Sequence, residues 1–338
     1  MLGEQVSTAA KKPWKPRASA LGFYANCLWR AAQDRAVYEG ELPEPAPQAE
    51  TSAASLGTCI HFTLQDGIRC TFPRKTLQVN PQQFGADLDQ ADALGQPITP
   101  EELSPDEQQL LSLADEHFNG DLSEAHAALA AGDPRCYQPT AAEWEDAAKL
   151  WGGNVDTARE QVRSAATLGA ATVPPLPSGE RWCAEDEFEN DYVSGHTDFL
   201  MANRKVLGDL KTTAKPPQGG WLKPAHLLQM TAYQRLTGAE RAWVLYLDSM
   251  KGRWTNMVWI DFTTDAMKFY ADQVEAFCRF LMSDQLFDVA YPNLGDHCVY
   301  SWCRYKDECY SKIMPRPGSL YNLSIARKAV GPIQLSPL

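Results

Sequence analysis

Hydrophobic positions in the first part of the chain recur every three or four residues. Leu21, Tyr24, Leu28 and Ala31 form one such stripe, which predicts a helix beginning near Ser19, a residue able to cap it. Residues 41–50 are rich in Pro and Glu and read as a loop or linker. A second helix is predicted over residues 52–67, carrying Ser55, Leu56, Gly57, Thr58, Cys59, Ile60, His61 and Leu64. Its glycine is costly unless close packing requires it. From about 80 to 175 the chain is acidic, Ala-rich and helix-prone, which predicts a helical insertion ended by the linker ATVPPLPSGE.

The period changes at Arg181. RWCAEDEFE, YVSGHTDFLMA and KVLGDLK predict a three-stranded meander turning at Asn190-Asp191 and Asn203-Arg204. After the loop PPQGGWLKP, a helix is predicted over His226 to Leu236. RAWVLYLD and WTNMVWIDF then predict two strands around Lys251-Gly252, and a long helix follows from Thr264 to Ser283. The end of the chain, from about Pro292, is Cys-rich and then irregular. Strands, helix and further strands in this order predict an α/β fold of the α+β kind, a mixed sheet with helical flanks. One domain is expected over 19–320, with its insertion at about 80–175, a basic flexible tail over 1–18 and an irregular tail over 321–338.

Composition narrows the picture. The chain has 338 residues, 44% hydrophobic and 22% charged, which are ordinary globular values. No apolar run of about 18 residues occurs, and the N-terminus lacks the apolar core of a secretory signal, so no membrane partner and a cytoplasmic location are expected. In a reducing compartment the nine cysteines are better candidates for metal binding than for disulfides. A net charge of -12 argues against a whole surface made for duplex binding. A local footprint remains, because residues 1–38 hold Lys11, Lys12, Lys15, Arg17, Arg30 and Arg35 against Glu4 and Asp34.

The candidate chemistry lies in GHTDFL and VLGDLKTT, where one Asp ends a strand and an Asp-X-Lys ends the next. Strand alternation puts Asp209 and Lys211 on one face and Leu210 on the other. If the strands pair through the Asn203 turn, Asp198 lies close to Asp209. Two such carboxylates repel, and a divalent cation between them removes the cost. A lysine beside them is placed to stabilise charge on a phosphate, which suits phosphodiester hydrolysis.

The order of these elements resembles the PD-(D/E)XK nuclease superfamily, in the branch holding the RecB nuclease domain, the CRISPR-adaptation nucleases and many phage exonucleases. The resemblance covers about residues 19–67 and 181–310. Leu56-Gly57-Thr58-Cys59-Ile60-His61 matches the branch's helix motif, which implies that His61 is a metal ligand. A strand glutamate is matched by Glu185 or Glu187, and Gly195 to Asp198 matches G-X-X-D. Asp209 to Lys211 matches D-X-K, with the Leu210 carbonyl also facing the metal. Gln229 and Tyr233 match a helical Q-X-X-X-Y, whose side chains share one face and either reach the DNA backbone or brace the site. The fold implied is a restriction-endonuclease-like core with a helical insertion and Cys-clamped termini.

Some members of that branch pin their termini with a 4Fe-4S cluster, which implies Cys27, Cys298, Cys303 and Cys309 as ligands here. The gap of four residues between Cys298 and Cys303 departs from the commoner gap of two. Structural Zn2+ on the same thiolates, or buried unligated cysteines, are the other readings. Cys59, Cys70, Cys136, Cys183 and Cys278 read as core or bystander residues.

The resemblance implies a Mg2+- or Mn2+-dependent deoxyribonuclease, an exonuclease acting on single-stranded or duplex DNA ends in recombination, repair or phage replication, in a bacterial or phage-infected cell. A single-strand annealing protein or another recombination factor is the implied partner. Tyr24, Trp29 and Trp221 are candidates to stack on unpaired bases, though each is more often simply core or surface packing. Two further classes stay open: a non-catalytic DNA-binding or scaffold subunit on the same fold, and a CRISPR-adaptation nuclease.

Overall fold

The buried run of residues 241–248 and the half-alternating run 206–213 build the centre of the molecule as two parallel strands. Near-continuous burial is what a strand covered on both faces requires. The computed structural model describes residues 12–45, 51–93, 98–99, 102–213, 217, 220–250, 255–290 and 305. Its strands are β1 (Trp182–Cys183), β2 (Asp186–Glu189), β3 (Ser194–Thr197), β4 (Phe199–Met201), β5 (Val206–Thr213), β6 (Arg241–Asp248) and β7 (Thr255–Asp261). A five-stranded mixed sheet has the order β1-β4-β5-β6-β7, antiparallel except for β5 and β6, while β2 and β3 form a separate hairpin. The expected mixed α/β architecture is therefore present. The expected meander is split, because the chain leaves the main sheet between β1 and β2 and rejoins it after Asp198.

The helices are α1 (Leu21–Asn26), α2 (Leu28–Glu39), α3 (Ser52–Gly67), α4 (Pro81–Ala93), α5 (Pro105–His117), α6 (Leu122–Ala131), α7 (Ala141–Ala148), α8 (Val155–Thr172), α9 (Pro224–Thr237), α10 (Asp265–Met282) and α11 (Gln285–Val289). Leu207, Val244, Tyr246 and Ile260 face a core shared with α1, α9 and α10. Leu210, Trp243, Leu245 and Leu247 face the opposite core, shared with α3, α7 and α8. Burying side chains of this size stabilises by about 1.5–3 kcal/mol each. Hence the segment expected as one insertion divides: α4, α5 and α6 close around a satellite core of Leu110, Leu113 and Leu129, whereas α7 and α8 cover the main sheet.

Local chemistry corrects two other expectations and explains a third. Ser19 caps nothing: a short 3-10 turn over Ala18–Ala20 leads into α1, and the helix breaks at Cys27, whose backbone is extended. Residues 12–17, expected in a flexible tail, pack on the body, with Trp14 buried and Ser194 N–H donating to Pro16 O at 3.1 Å. Gly57 sits where an added Cβ would lie 3.0 Å from Thr212 Oγ1, so close packing explains it. The Lys251-Gly252 turn lies outside the described residues. Among those described, no helix is long and apolar enough to cross a membrane.

Candidate active site

Asp209 is fully buried in the middle of β5, not at its end, and Lys211 shares its face. The Lys211 Nζ lies 2.8 Å from Asp209 Oδ2 and donates to Oδ1 at 3.0 Å. Leu210 points into the opposite core, as alternation requires. Asp198 occupies the break between β3 and β4. Its Oδ2 accepts the Leu210 backbone N–H at 2.7 Å, which fixes the carboxylate against β5. From α3, His61 Nδ1 approaches the same oxygen at 3.4 Å, and a ring N–H of His61 faces the Leu210 carbonyl.

Of the two glutamates considered, Glu185 belongs to the cluster and Glu187 does not. Gln65 Nε2 donates to Glu185 Oε1 at 2.7 Å and to the Asp198 carbonyl at 3.0 Å. Glu185 adopts φ +54° at the point where the chain leaves the main sheet. A non-glycine residue held there costs about 1–3 kcal/mol and is found most often at functional sites. Glu187 is instead exposed on the hairpin, paired with His196 at 2.6 Å and with Lys75 at 3.7 Å. The two are two residues apart, so unbroken strand alternation would put them on one side; the positive φ of Glu185, just before β2, turns its side chain to the cluster instead.

Gln229 and Tyr233 brace this cluster from α9. Gln229 Nε2 donates to Asp209 Oδ1 at 3.2 Å and to Tyr233 Oη at 3.0 Å, and both side chains are buried. The Tyr233 ring lies on Gly195, where an added Cβ would come within 2.7 Å of it. The glycine of the G-X-X-D element is therefore the seat of the tyrosine of the Q-X-X-X-Y element.

The electrostatics follow from burial. Burial, reinforced by Asp198, pushes Glu185 up to about 7. Burial also lifts Asp209 to about 6, with Lys211 opposing and Asp198 reinforcing. Asp198 is raised by burial as well, against the pull of Lys211. Burial alone would lower Lys211, but Asp209 and Asp198 outweigh it and hold the ammonium above the usual lysine range. His61 is lowered to about 4 by burial and by Lys211, so it stands neutral as a nitrogen donor.

These groups suit a hard divalent cation in kind: carboxylate oxygens, a neutral imidazole and a backbone carbonyl. Asp209 Oδ2 supports the fit, being buried with no hydrogen bond of good geometry despite the nearby ammonium. The donors adjoin in pairs. Among the described residues no three His, Cys, Asp or Glu side chains stand together at metal-ligand spacing, so the carbonyl or a water has to complete a set.

Elsewhere the expectations fare unevenly. Cys27 is buried between α1 and α2, whereas Cys298, Cys303 and Cys309 lie outside the described residues. Tyr24 cannot stack on a base, because it is buried and donates to Asp34 Oδ2 at 2.9 Å. Trp221 is 76% exposed. Sequence reasoning overlooked Gln65 and His226. The signal for Gln65 was its place four residues after His61 on one helix; for His226 it was its place three residues before Gln229.

No family model matches the chain, and no curated protein matches it. Among solved structures it is similar to a phage related exonuclease from Haemophilus somnus 129PT, with 14% identity, a TM-score of 0.28, and coverage of 42% of this chain and 78% of that one. It is similar also to the protein SSO0001, with 17% identity, a TM-score of 0.28, and coverage of 51% and 80% respectively. At a TM-score of 0.28 neither overlap bears on the chemistry, which rests on the side chains themselves.

Proposed function

We propose that this chain is a divalent-metal-dependent nuclease that hydrolyses phosphodiester bonds of DNA, acting from DNA ends. The observation that carries the reading is three adjoining carboxylates, buried Asp209 and half-buried Glu185 and Asp198, with one ammonium, that of Lys211, paired among them. One cation leaves this cluster short of positive charge, and burial makes the shortage expensive. Asp198, Asp209, His61 and the Leu210 carbonyl would hold Mg2+ or Mn2+, with Glu185 beside them. The ion would supply Lewis-acid stabilisation of the phosphate and acidify a water. Lys211, released in part from Asp209, donates to a phosphate oxygen as charge develops on it. Gln229 and Tyr233 keep Asp209 in place, and Gln65 does the same for Glu185.

Purified protein incubated with end-labelled single-stranded and duplex DNA tests this, with Mn2+, Mg2+ or EDTA. Cleavage is expected only with metal, and Asp209→Asn or Lys211→Ala is expected to reduce it by about 1,000-fold or more, the scale of losing a group that stabilises the transition state. Full metal-dependent activity in either variant would overturn the reading. Binding without cleavage would favour a scaffold subunit.

A second group is proposed at Cys27. Tyr305 Oη donates to Asp34 Oδ1 at 2.7 Å, and Arg35 donates to the carbonyls of Met282 and Ser283 at 2.9 and 2.8 Å. These contacts tie the helix that follows Cys27 to the C-terminal part of the chain, as a 4Fe-4S cluster or Zn2+ held by Cys27, Cys298, Cys303 and Cys309 would need. Absorption at roughly 400 nm in anaerobically purified protein distinguishes the cluster from zinc.

A further inference from the structure

A second groove, of about 360 Å³, meets Lys211 from the side of α1, α2 and α9. That volume falls within the range of small-ligand sites, roughly 300–1,000 Å³. Among the described residues no carboxylate lines it, its charged groups are Lys211 and Arg30, and Gln229 and Cys27, the cluster ligand proposed above, stand in the same wall. In a chain of net charge -12 such a wall is complementary to a polyanion. The Arg30 guanidinium lies 4.3 Å over the ring of Phe23, and its Nε is buried with no hydrogen-bond partner among the described residues. Phe23 is 48% exposed, although α1 offers it a core to turn toward. His226 lines the same groove, its Nδ1 2.7 Å from Tyr246 Oη, which also accepts the Lys223 N–H at 3.3 Å. With the Tyr246 hydroxyl donating to Nδ1, the imidazole carries its proton on Nε2.

We propose, building on the nuclease reading above, that this groove receives one unpaired nucleotide of the DNA strand next to the scissile phosphate. Its base stacks on Phe23, Arg30 and Lys211 meet its phosphates, and His226 donates a hydrogen bond to it. An aromatic face backed by guanidinium and flanked by cations is how unpaired strands are held without sequence preference. A paired base has no free face to offer Phe23, so the groove selects single-stranded ends over blunt duplex.

The test uses full-length protein in EDTA, where hydrolysis does not interfere. Probes are a fluorescein-labelled single-stranded 12-mer, the matching blunt duplex, and single strands carrying 2-aminopurine at successive positions. Wild type is expected to quench 2-aminopurine at one position by stacking. Phe23→Ala should abolish that quench and weaken single-strand binding about 10-fold while duplex affinity stays within about 2-fold, and Phe23→Trp should retain both. Arg30→Gln should weaken single-strand binding and reduce its salt dependence. Equal loss for both substrates in Phe23→Ala, or an unchanged quench, would overturn the proposal. Because binding is read apart from hydrolysis, a protein that quenches but never cleaves with metal sinks the nuclease reading alone, and one that cleaves while Phe23→Ala binds normally sinks this one alone.

Discussion

The two grooves that flank β5 differ in almost every physical respect. One is lined by His61, Gln65, Glu185 and Asp198, with Asp198 close enough to push the pKa of Glu185 up. The other holds Phe23, Arg30, Lys211 and His226 and no carboxylate among its described residues. Lys211 belongs to the second groove and is paired with Asp209 beside the first, so the boundary between unlike charges runs through one Asp-X-Lys segment. At about 4 Å opposite charges attract by about 4 kcal/mol near a protein surface. Unconstrained side chains would therefore collapse into ion pairs. The rigid parallel pair of β5 and β6 holds Lys211 against Asp209, while Glu185 and Arg30 form no ion pair among the described residues and Lys75 acts on Glu185 only at longer range. A site that must bind both a cation and a polyanion needs this separation.

The largest effect expected from that contrast is on metal binding by the acidic groove as pH changes. Glu185 at about 7 and Asp209 at about 6 have folded-state pKa values above those of the unfolded chain. Between about pH 4 and 7 the folded protein therefore holds protons that the unfolded chain has released, so without metal its stability falls as pH rises through that window. A cation binds the deprotonated groups. From pH 5.5 to 8 its affinity should rise about 100-fold, and the increase in melting temperature with Mn2+ should be large at pH 8 and nearly absent at pH 5.5. Melting curves with and without Mn2+ read this directly. A shift of equal size at both pH values would break the comparison. Glu185→Gln should flatten the dependence.

How much of this contrast could be read in the sequence depends on how local each feature is. Asp209 and Lys211 were legible because strand alternation alone puts them on one face. Helical spacing likewise paired Gln229 with Tyr233, though not their target: only the fold turns Gln229 onto Asp209 and seats Tyr233 on Gly195. Glu185 and Glu187 could not be separated, because the break in the strand at φ +54° has no glycine to announce it. The cationic groove was illegible altogether. It joins Phe23 and Arg30 to His226 across about two hundred residues of chain, through a helix break at Cys27 that hydrophobic periodicity reads as continuous. The division of the 80–175 segment escaped for a related reason, since Ala-rich stripes suit a satellite core and a sheet-covering helix equally well.

A smaller effect sharpens the role of α9 beneath both grooves. Gln229→Leu removes the hydrogen bonds to Asp209 and Tyr233 while keeping an apolar side chain of similar length. Groups that orient a ligand without touching the substrate typically contribute about 10-fold to 100-fold. Single-turnover cleavage should fall by about that factor, and Tyr233→Phe should cost less, about 10-fold, because Gln229 keeps its bond to Asp209. Single-strand affinity in EDTA should be unchanged in Tyr233→Phe and should fall less than the rate in Gln229→Leu, whose side chain also lines the cationic groove. A loss of affinity without a loss of rate would assign Gln229 to the cationic groove alone.

The smallest effect discriminates most finely, because it sets Glu187 against Glu185, two residues away in sequence. Glu187 is held below the ordinary carboxylate range, first by its hydrogen bond with His196, and points away from the cluster. Glu187→Gln removes a largely exposed pair, and such pairs contribute no more than about 1 kcal/mol. Metal-induced stabilisation and cleavage should stay within about 2-fold of wild type, while Glu185→Gln lowers both. The sign of any residual pH effect is also fixed. The depressed carboxylate contributes stability above the unfolded glutamate range and loses it as pH falls through the folded value, so wild type and Glu187→Gln should converge in melting temperature toward pH 3. If Glu187→Gln instead abolished metal binding, the backbone break at Glu185 that separates the two glutamates, and with it the assignment of the acidic groove, would have to be redrawn.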